Sequence, residues 1–224
     1  MERSGPPGPA GFPLNPPGWP GWWQSVLDWL FPPHCPGCGQ VLGRRFCAAC
    51  LEGLEPCRLE APGGVEVFAA GRYRGPLRRA VLDLKHGART ASVPVLAELM
   101  QRAWRGRLPD ALVPIPPEPR RRRLRGLSVP GLLAEELGGR LGVPARNDLL
   151  VPARALVSQK NLSREERREN VRGGFRTGAV GGLDLLLVDD VMTTGSTLAE
   201  AARVLRAAGA GRVQALVLAA VESG

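Results

Sequence analysis

Two sets of residues in this chain have the type and spacing to do chemistry. Cys35-Pro-Gly-Cys38 and Cys47-Ala-Ala-Cys50 are two CxxC turns separated by eight residues. Two such turns can aim four thiolates at one tetrahedral Zn²⁺, and the glycines around the first pair allow a tight knuckle. A disulfide pair and a thioredoxin-like redox motif are the alternatives. The redox motif expects one CxxC beside a βαβ unit, whereas these two lie in a loop-rich segment, so a structural zinc ribbon is expected. Cys57 is left over as a small buried or free thiol. The second set is Asp189-Asp190 followed by Thr193-Thr194-Gly195-Ser196-Thr197. Adjacent carboxylates can accept hydrogen bonds from a ribose diol. They can also act on a sugar phosphate carrying Mg²⁺, a cation that favours carboxylate and phosphate oxygens. In the Thr/Ser/Gly loop, backbone amides, hydroxyls and the start of a helix can converge on a phosphate. The bland alternative is a strand that ends in a polar turn.

The elements around the acid pair decide between these readings. Leu183 to Val188 is a nearly unbroken apolar run, which predicts a strand buried on both faces of a parallel sheet, with the acids at its carboxyl end. Leu198, Ala201, Ala202, Leu205 and Ala208 recur at helical spacing, and Gly209 is a stop signal. Val213 to Val221 is a further apolar run, so the unit predicts strand, anion-binding turn, helix, strand.

Upstream, Val65 to Tyr73 predicts a strand and Pro76 to Lys85 an amphipathic helix with Leu77, Ala80, Val81 and Leu84 on one side. Lys85 can reach a diphosphate or simply complement the helix carboxyl terminus. His86 reads as a surface histidine. Ser92 to Arg105 and Leu127 to Leu141 predict two more helices, and Ala111 to Pro116 a strand breaking into a proline-stiffened loop. Arg120 to Arg123 and Arg125 place five arginines in six positions. Such a run is a solvated basic face, a diphosphate partner or a contact for nucleic-acid backbone. Arg154 to Asn170 reads as a flap or surface helix. Met1 to Gly21, rich in proline and glycine, is expected to be disordered. Trp22, Val26, Trp29 and Leu30 fall at helical spacing without the basic polar face of a membrane-surface helix, so they are expected to dock on the chain's own domain.

Composition bounds the answer. The chain has 224 residues, 44% of them hydrophobic, enough for one α/β domain and a small accessory module. Formal net charge is +9, and only Lys85 and Lys160 among the 30 basic residues are lysines. Anionic partners follow from that balance, although an arginine bias also arises from genome composition. No stretch approaches the ~20 apolar residues of a membrane-spanning helix, and residues 1–20 do not read as a secretory signal. A cytoplasmic location with reduced cysteines is expected.

The string Leu185 to Thr197 resembles the phosphoribosyl-diphosphate-binding signature of type I phosphoribosyltransferases. From about Trp22 onward the chain also resembles the ComF family, competence-associated proteins with a phosphoribosyltransferase-like domain. That resemblance rests on the paired CxxC turns, Tyr73-x-Gly75, Leu84-Lys85-His86, Val113-Pro-Ile-Pro116, Arg125-Gly126, the spaced Arg154, Gln159, Leu162, Arg167 and Asn170, and the Asp-Asp-Val-x-Thr-Thr-Gly-Ser-Thr loop. The family commonly reads Arg-Gly-Phe-Asn-Gln where this chain has Arg125-Gly126-Leu127-Ser128-Val129. The resemblance implies an α/β fold: a type I phosphoribosyltransferase domain with a central, mostly parallel sheet over residues 61–224. Before it would come a tail over 1–21 and a short helix plus zinc-ribbon-like module over 22–60. It implies Asp189 and Asp190 as the catalytic pair holding ribose, Thr193, Thr194, Gly195, Ser196 and Thr197 around the 5′-phosphate, and Lys85, Pro114 and Arg125 on the diphosphate side. Cys35, Cys38, Cys47 and Cys50 would hold structural Zn²⁺, and Mg²⁺ would accompany phosphoribosyl diphosphate. Implied partners are that sugar phosphate, single-stranded DNA and the competence machinery, with oligomerisation possible. The other reading is an active phosphoribosyltransferase of nucleotide metabolism or salvage with no DNA role.

Overall fold

A computed structural model of the protein describes residues 34–41, 45–85, 90–117, 128–153 and 171–221. The N-terminal tail, the segment around Trp22 to Leu30, His86, the arginine run at 120–125 and the Arg154–Asn170 stretch lie outside the described residues.

The core is a five-stranded sheet built from β1 (Cys57–Ala61), β2 (Val65–Ala69), β3 (Ala111–Pro114), β6 (Leu185–Met192) and β7 (Val213–Ala220), in the order β1-β2-β7-β6-β3. The four strands from β2 to β3 are parallel, and β1 joins antiparallel at the edge. The parallel strands read as continuous apolar runs because both sides of each are covered. Along β6, Leu186 and Val188 pack with one core cluster while Leu185 and Leu187 pack with the other. The first cluster also contains Leu77, Leu96, Leu133 and Leu137, from α2 (Gly75–Lys85), α3 (Val93–Ala103) and α4 (Val129–Leu141). The second contains Leu198, Ala201 and Leu205 from α5 (Ser196–Ala207), so helices cover both faces. A two-stranded sheet, β4 (Val151–Pro152) with β5 (Phe175–Arg176), contributes Phe175 to that second cluster.

The elements differ from the expected spans in instructive ways. β6 does not stop at Val188, because its pairing with β7 continues through Asp189↔Val217, Val191↔Ala219 and Met192↔Ala220. The acid pair therefore lies inside the strand rather than after it. β2 is shorter than Val65–Tyr73, but Tyr73 still donates its amide to Ala220 O at 2.7 Å beyond the strand. α4 starts later than Leu127, at Val129, because Ser128 caps it, its hydroxyl accepting from the Gly131 amide at 3.2 Å. It stops at Gly142, whose φ of +68° is the left-handed helix terminator.

β1 has no counterpart among the expected strands. Its residues alternate between half-buried and exposed, as befits an edge strand with one wet side. It is held by a three-residue hairpin whose Gly63 and Gly64 have φ of +78° and +68°. It straddles residues 60 and 61, so the end of the cysteine-bearing segment hydrogen-bonds directly into the main sheet.

Candidate functional site

The carboxyl edge of the parallel strands collects the described residues of the second set. In register, Pro114 of β3 lies opposite Val188, immediately before Asp189. Pro114 is buried, and the chain continues past it with Ile115 donating to Val188 O at 2.9 Å. After Met192 the backbone leaves the sheet, and Thr193 to Gly195 lead into α5. Gly195 is required twice over. Its φ is +73°, a region L side chains avoid, and a Cβ there would meet the Ala61 Cβ at 2.8 Å. The hairpin between β1 and β2 thus presses the loop into place. Thr193 is exposed, Thr194 and Thr197 are half-buried, and Ser196 is 6% exposed. The Thr194 and Ser196 hydroxyls share a hydrogen bond of 2.9 Å. The first intrahelical donor of α5 is Ala199, to Gly195 O at 2.9 Å. The amides before it, at Ser196, Thr197 and Leu198, have no intrahelical carbonyl to meet, so the positive end of the helix dipole faces the loop.

The acid pair has an internal partner that spacing alone did not show. Lys85, the last residue of α2, places its Nζ 2.8 Å from Asp190 Oδ2, with side-chain exposures of 23% and 15%. The Asp190 amide in turn donates to Asp189 Oδ1 at 2.8 Å. Lys85 thus complements the helix carboxyl terminus, as expected, and also stands beside the acids. Arg125 lies outside the described residues. The signal available in the sequence was that Lys85 is one of only two lysines in a chain of arginines.

Burial, reinforced by the Asp190 charge, pushes the Asp189 carboxyl well above the usual carboxylate range, although the Asp190 amide and Lys85 oppose the shift. A raised folded-state pKa means that the folded chain keeps a proton which the unfolded chain has already released. The associated stability is complete below the unfolded value of about 3.9 and is lost as pH rises through the folded value. Asp189→Asn mimics the neutral form at every pH. Its melting temperature is expected to match the wild type near pH ~4 and to exceed it at pH ~8. Paired thermal melts across that range check this; a difference independent of pH would contradict it.

Glu200 was missed. It is 8% exposed on α5, accepts from the Gly173 amide at 2.7 Å and pairs with both Arg203 nitrogens at 2.7 Å. It ties the turn before β5 to the helix that opens at the loop, which is a structural task.

The four CxxC thiols come together as the spacing predicts. The Sγ atoms of Cys35, Cys38, Cys47 and Cys50 lie within 4.8 Å of one another, and none is in a disulfide. Cys38 and Cys47 are 3.8 Å apart. A tetrahedron of thiolates ~2.3 Å from zinc has S···S edges of about 3.8 Å, so the donor set fits that metal. Burial acts to raise the Cys35 thiol, but amide donors from Cys47, Cys38 and Gly37 outweigh it and bring its pKa down to about 6. Burial and the neighbouring thiols push Cys50 up. A cation among them is what would let all four ionise together. The knuckle is not free-standing. Cys35, Phe46 and Cys50 belong to the core under α2, Arg79 donates to Cys38 O at 2.8 Å, and a Cβ at Gly37 would meet Pro76 at 2.7 Å. A short helix, α1 (Ala48–Glu52), carries Cys50. Cys57 sits half-buried at the start of β1, away from the cluster in sequence and not part of it.

Among the described residues, no helix is long and apolar enough to cross a membrane.

Comparison with known proteins agrees with this division of labour. The profile of the phosphoribosyl transferase domain matches residues 133–224, and that of the double zinc ribbon domain matches residues 26–62. The DNA utilization protein YhgH of Salmonella typhi is 33% identical over 80% of this chain and 81% of its own length. Competence protein F of Haemophilus influenzae is 30% identical over 84% of both. A solved structure of the allosteric regulatory enzyme of purine biosynthesis has a TM-score of 0.38 and 21% identity, covering 56% of this chain and 25% of that one, too distant to add weight. With both domains in the expected order and relatives matched over four-fifths of their length, the chain belongs to the ComF family of competence-associated, phosphoribosyltransferase-like proteins with an N-terminal zinc ribbon.

Proposed function

We propose that this protein binds phosphoribosyl diphosphate, with Mg²⁺, at the carboxyl edge of β6, and that it does so in the cytoplasm in support of DNA uptake. The observation that carries the reading is the contiguity of the acid pair, the Gly195 loop and the open amino terminus of α5, with the Lys85 ammonium beside them. Asp189 and Asp190 accept hydrogen bonds from the ribose diol. Thr193 to Thr197 and the first amides of α5 hold the 5′-phosphate, as helix amino termini hold anions elsewhere. Lys85, Pro114 and Arg125 serve the diphosphate side. Mg²⁺, when bound with the sugar phosphate, would supply further neutralisation of its charge, with Asp189 and Asp190 as the carboxylates able to hold it. If transfer occurs, a nucleophile attacks the anomeric carbon as diphosphate departs, through an oxocarbenium-like centre. Positioning and charge stabilisation suffice for that, so no nucleophilic side chain is required. The relatives named for competence and for DNA utilization support the link to DNA.

Isothermal titration of the full chain with phosphoribosyl diphosphate and Mg²⁺ tests binding, and a diphosphate-release assay across nucleobases tests turnover. Binding without release supports a binding protein. Base-dependent release favours the salvage enzyme instead, and no binding overturns the site.

A further inference from the structure

A separate basic feature lies beside β1, β2 and the start of β7. A groove of about 1120 Å³ opens there, lined by Arg58, Arg105, Arg107, Arg206 and Arg212. Asp184 also lines it and marks its distance from the first site. From Asp184 to Asp189 the chain runs five residues along β6, about 16 Å at a strand's rise, while Arg58, level with Val188 in register, lies three strands away on the β1 edge.

Only one of these arginines is neutralised by a carboxylate among the described residues. Arg58 pairs with Glu66, which also accepts from Gln214 Nε2. Arg206 donates to the neutral carbonyls of Gly63, Gly64 and Val213, and Arg105 to those of Arg102 and Trp104. Asp184 spends an oxygen on the Arg212 amide at 2.8 Å. Arg107 and Arg212 are exposed, and among the described residues no hydrogen bond or ion pair engages either side chain. Gathering uncompensated cations on one wall costs self-repulsion, which an anionic ligand relieves.

The chemistry of the wall narrows the ligand. Guanidinium is the bidentate partner of phosphate oxygens. The arginines come from β1, the turn after α3, the end of α5 and the turn before β7, so they are spread along the groove instead of converging on one point. Its volume exceeds the ~300–1000 Å³ of small-molecule pockets. The aromatic rings beneath offer no stacking platform: Phe68 and Trp104 are 5% and 9% exposed and pack edge to face at 4.8 Å. Gly106 keeps Arg105 and Arg107 in a tight turn over that pair, since a Cβ there would meet the Trp104 ring at 2.3 Å.

We propose that this groove binds the phosphodiester backbone of a nucleic-acid strand, through phosphate contacts and without reading bases. The site is separate from the proposed sugar-phosphate site, and the two assignments stand or fall independently.

The test uses the full chain and a fluorescent thymidine oligonucleotide of about 20 nucleotides, long enough to span several phosphate contacts. Anisotropy is followed from about 0.05 to 0.3 M salt. Arg107→Glu with Arg212→Glu is expected to weaken binding at least about tenfold at low salt, and to flatten the log–log salt slope by about 1.4, the value for two phosphate contacts on a single strand. Arg78→Glu with Arg176→Glu makes the same charge change on exposed residues outside the groove and should keep the slope. An unchanged slope in the groove variant overturns the proposal, as does an equal loss in both variants. A nucleoside triphosphate that binds as tightly as the oligonucleotide and is lost in the same variant also overturns it, in favour of a compact nucleotide site. Phosphoribosyl diphosphate titrated into the groove variant should behave as with the wild type, so failure there speaks only to the first site.

Discussion

Asp189→Asn combined with Asp190→Asn is expected to reduce phosphoribosyl-diphosphate affinity by about 10²–10⁴-fold while the protein stays folded. A hydrogen bond to a charged group contributes roughly 1.5–3 kcal/mol, and the double variant replaces both adjacent acidic side chains with amides. The fold should tolerate the change, because the wild-type pair is itself a source of strain. Asp189 is driven toward its neutral form by burial and by the Asp190 charge. Removing both carboxylates ends that conflict and leaves Lys85, still 23% exposed at its side chain, able to turn to water. The decisive result is therefore a split: lost binding in titration, with a melting temperature equal to or above the wild type near neutral pH. Unchanged affinity in the folded variant would remove the acid pair from the ligand site. Lost binding with a collapsed melting transition would be a folding effect, and Asp189→Asn alone then separates the two.

Loss of the metal is expected to have the largest effect on stability. Purified protein should carry about one zinc per chain, and Cys50→Ser or a strong chelator should remove it. Zinc-finger peptides gain ~10–16 kcal/mol of apparent binding energy that is also folding energy. Here the knuckle shares a core with α2, through Cys35, Phe46 and Cys50 and through the Arg79 contact to Cys38 O. The destabilisation should accordingly reach the main domain, with a fall of several kcal/mol in the melt and early proteolysis near residues 45–56. Because α2 also ends at Lys85, the loss should blur the proposed sugar-phosphate site as well. Zinc-free, freshly reduced protein that forms an intramolecular disulfide and melts normally would instead favour a redox pair.

How much of this was legible beforehand follows from the range over which each interaction acts. The zinc set is local: two CxxC turns eight residues apart leave four thiols little choice but to meet, and they meet within 4.8 Å. The loop after β6 is local too, since strand, turn and helix are contiguous in residues 185–207 and Gly195 announces its own backbone requirement. Helix α2 was readable from Leu77, Ala80, Val81 and Leu84, because its apolar face repeats at helical spacing.

What the chain in one dimension could not supply is pairing between distant segments. Whether β6 stops at Val188 or carries its acids to Met192 depends on β7 offering Val217 to Ala220 alongside, and that is a property of the partner strand. The edge strand β1 has little apolar signal of its own and exists because β2 is there to pair with it. Lys85 and Asp190 are over a hundred residues apart, and only the packing of α2 on the sheet brings ammonium and carboxylate to 2.8 Å. The arginine groove is the extreme case. Arg58, Arg107 and Arg212 are ordinary surface residues in sequence, and they share one wall because sheet order sets β1, β2 and β7 side by side and α3 packs against β2 and β7. Local chemistry was written in the spacing of residues; the meeting of charges from separate elements was decided by sheet order and helix docking.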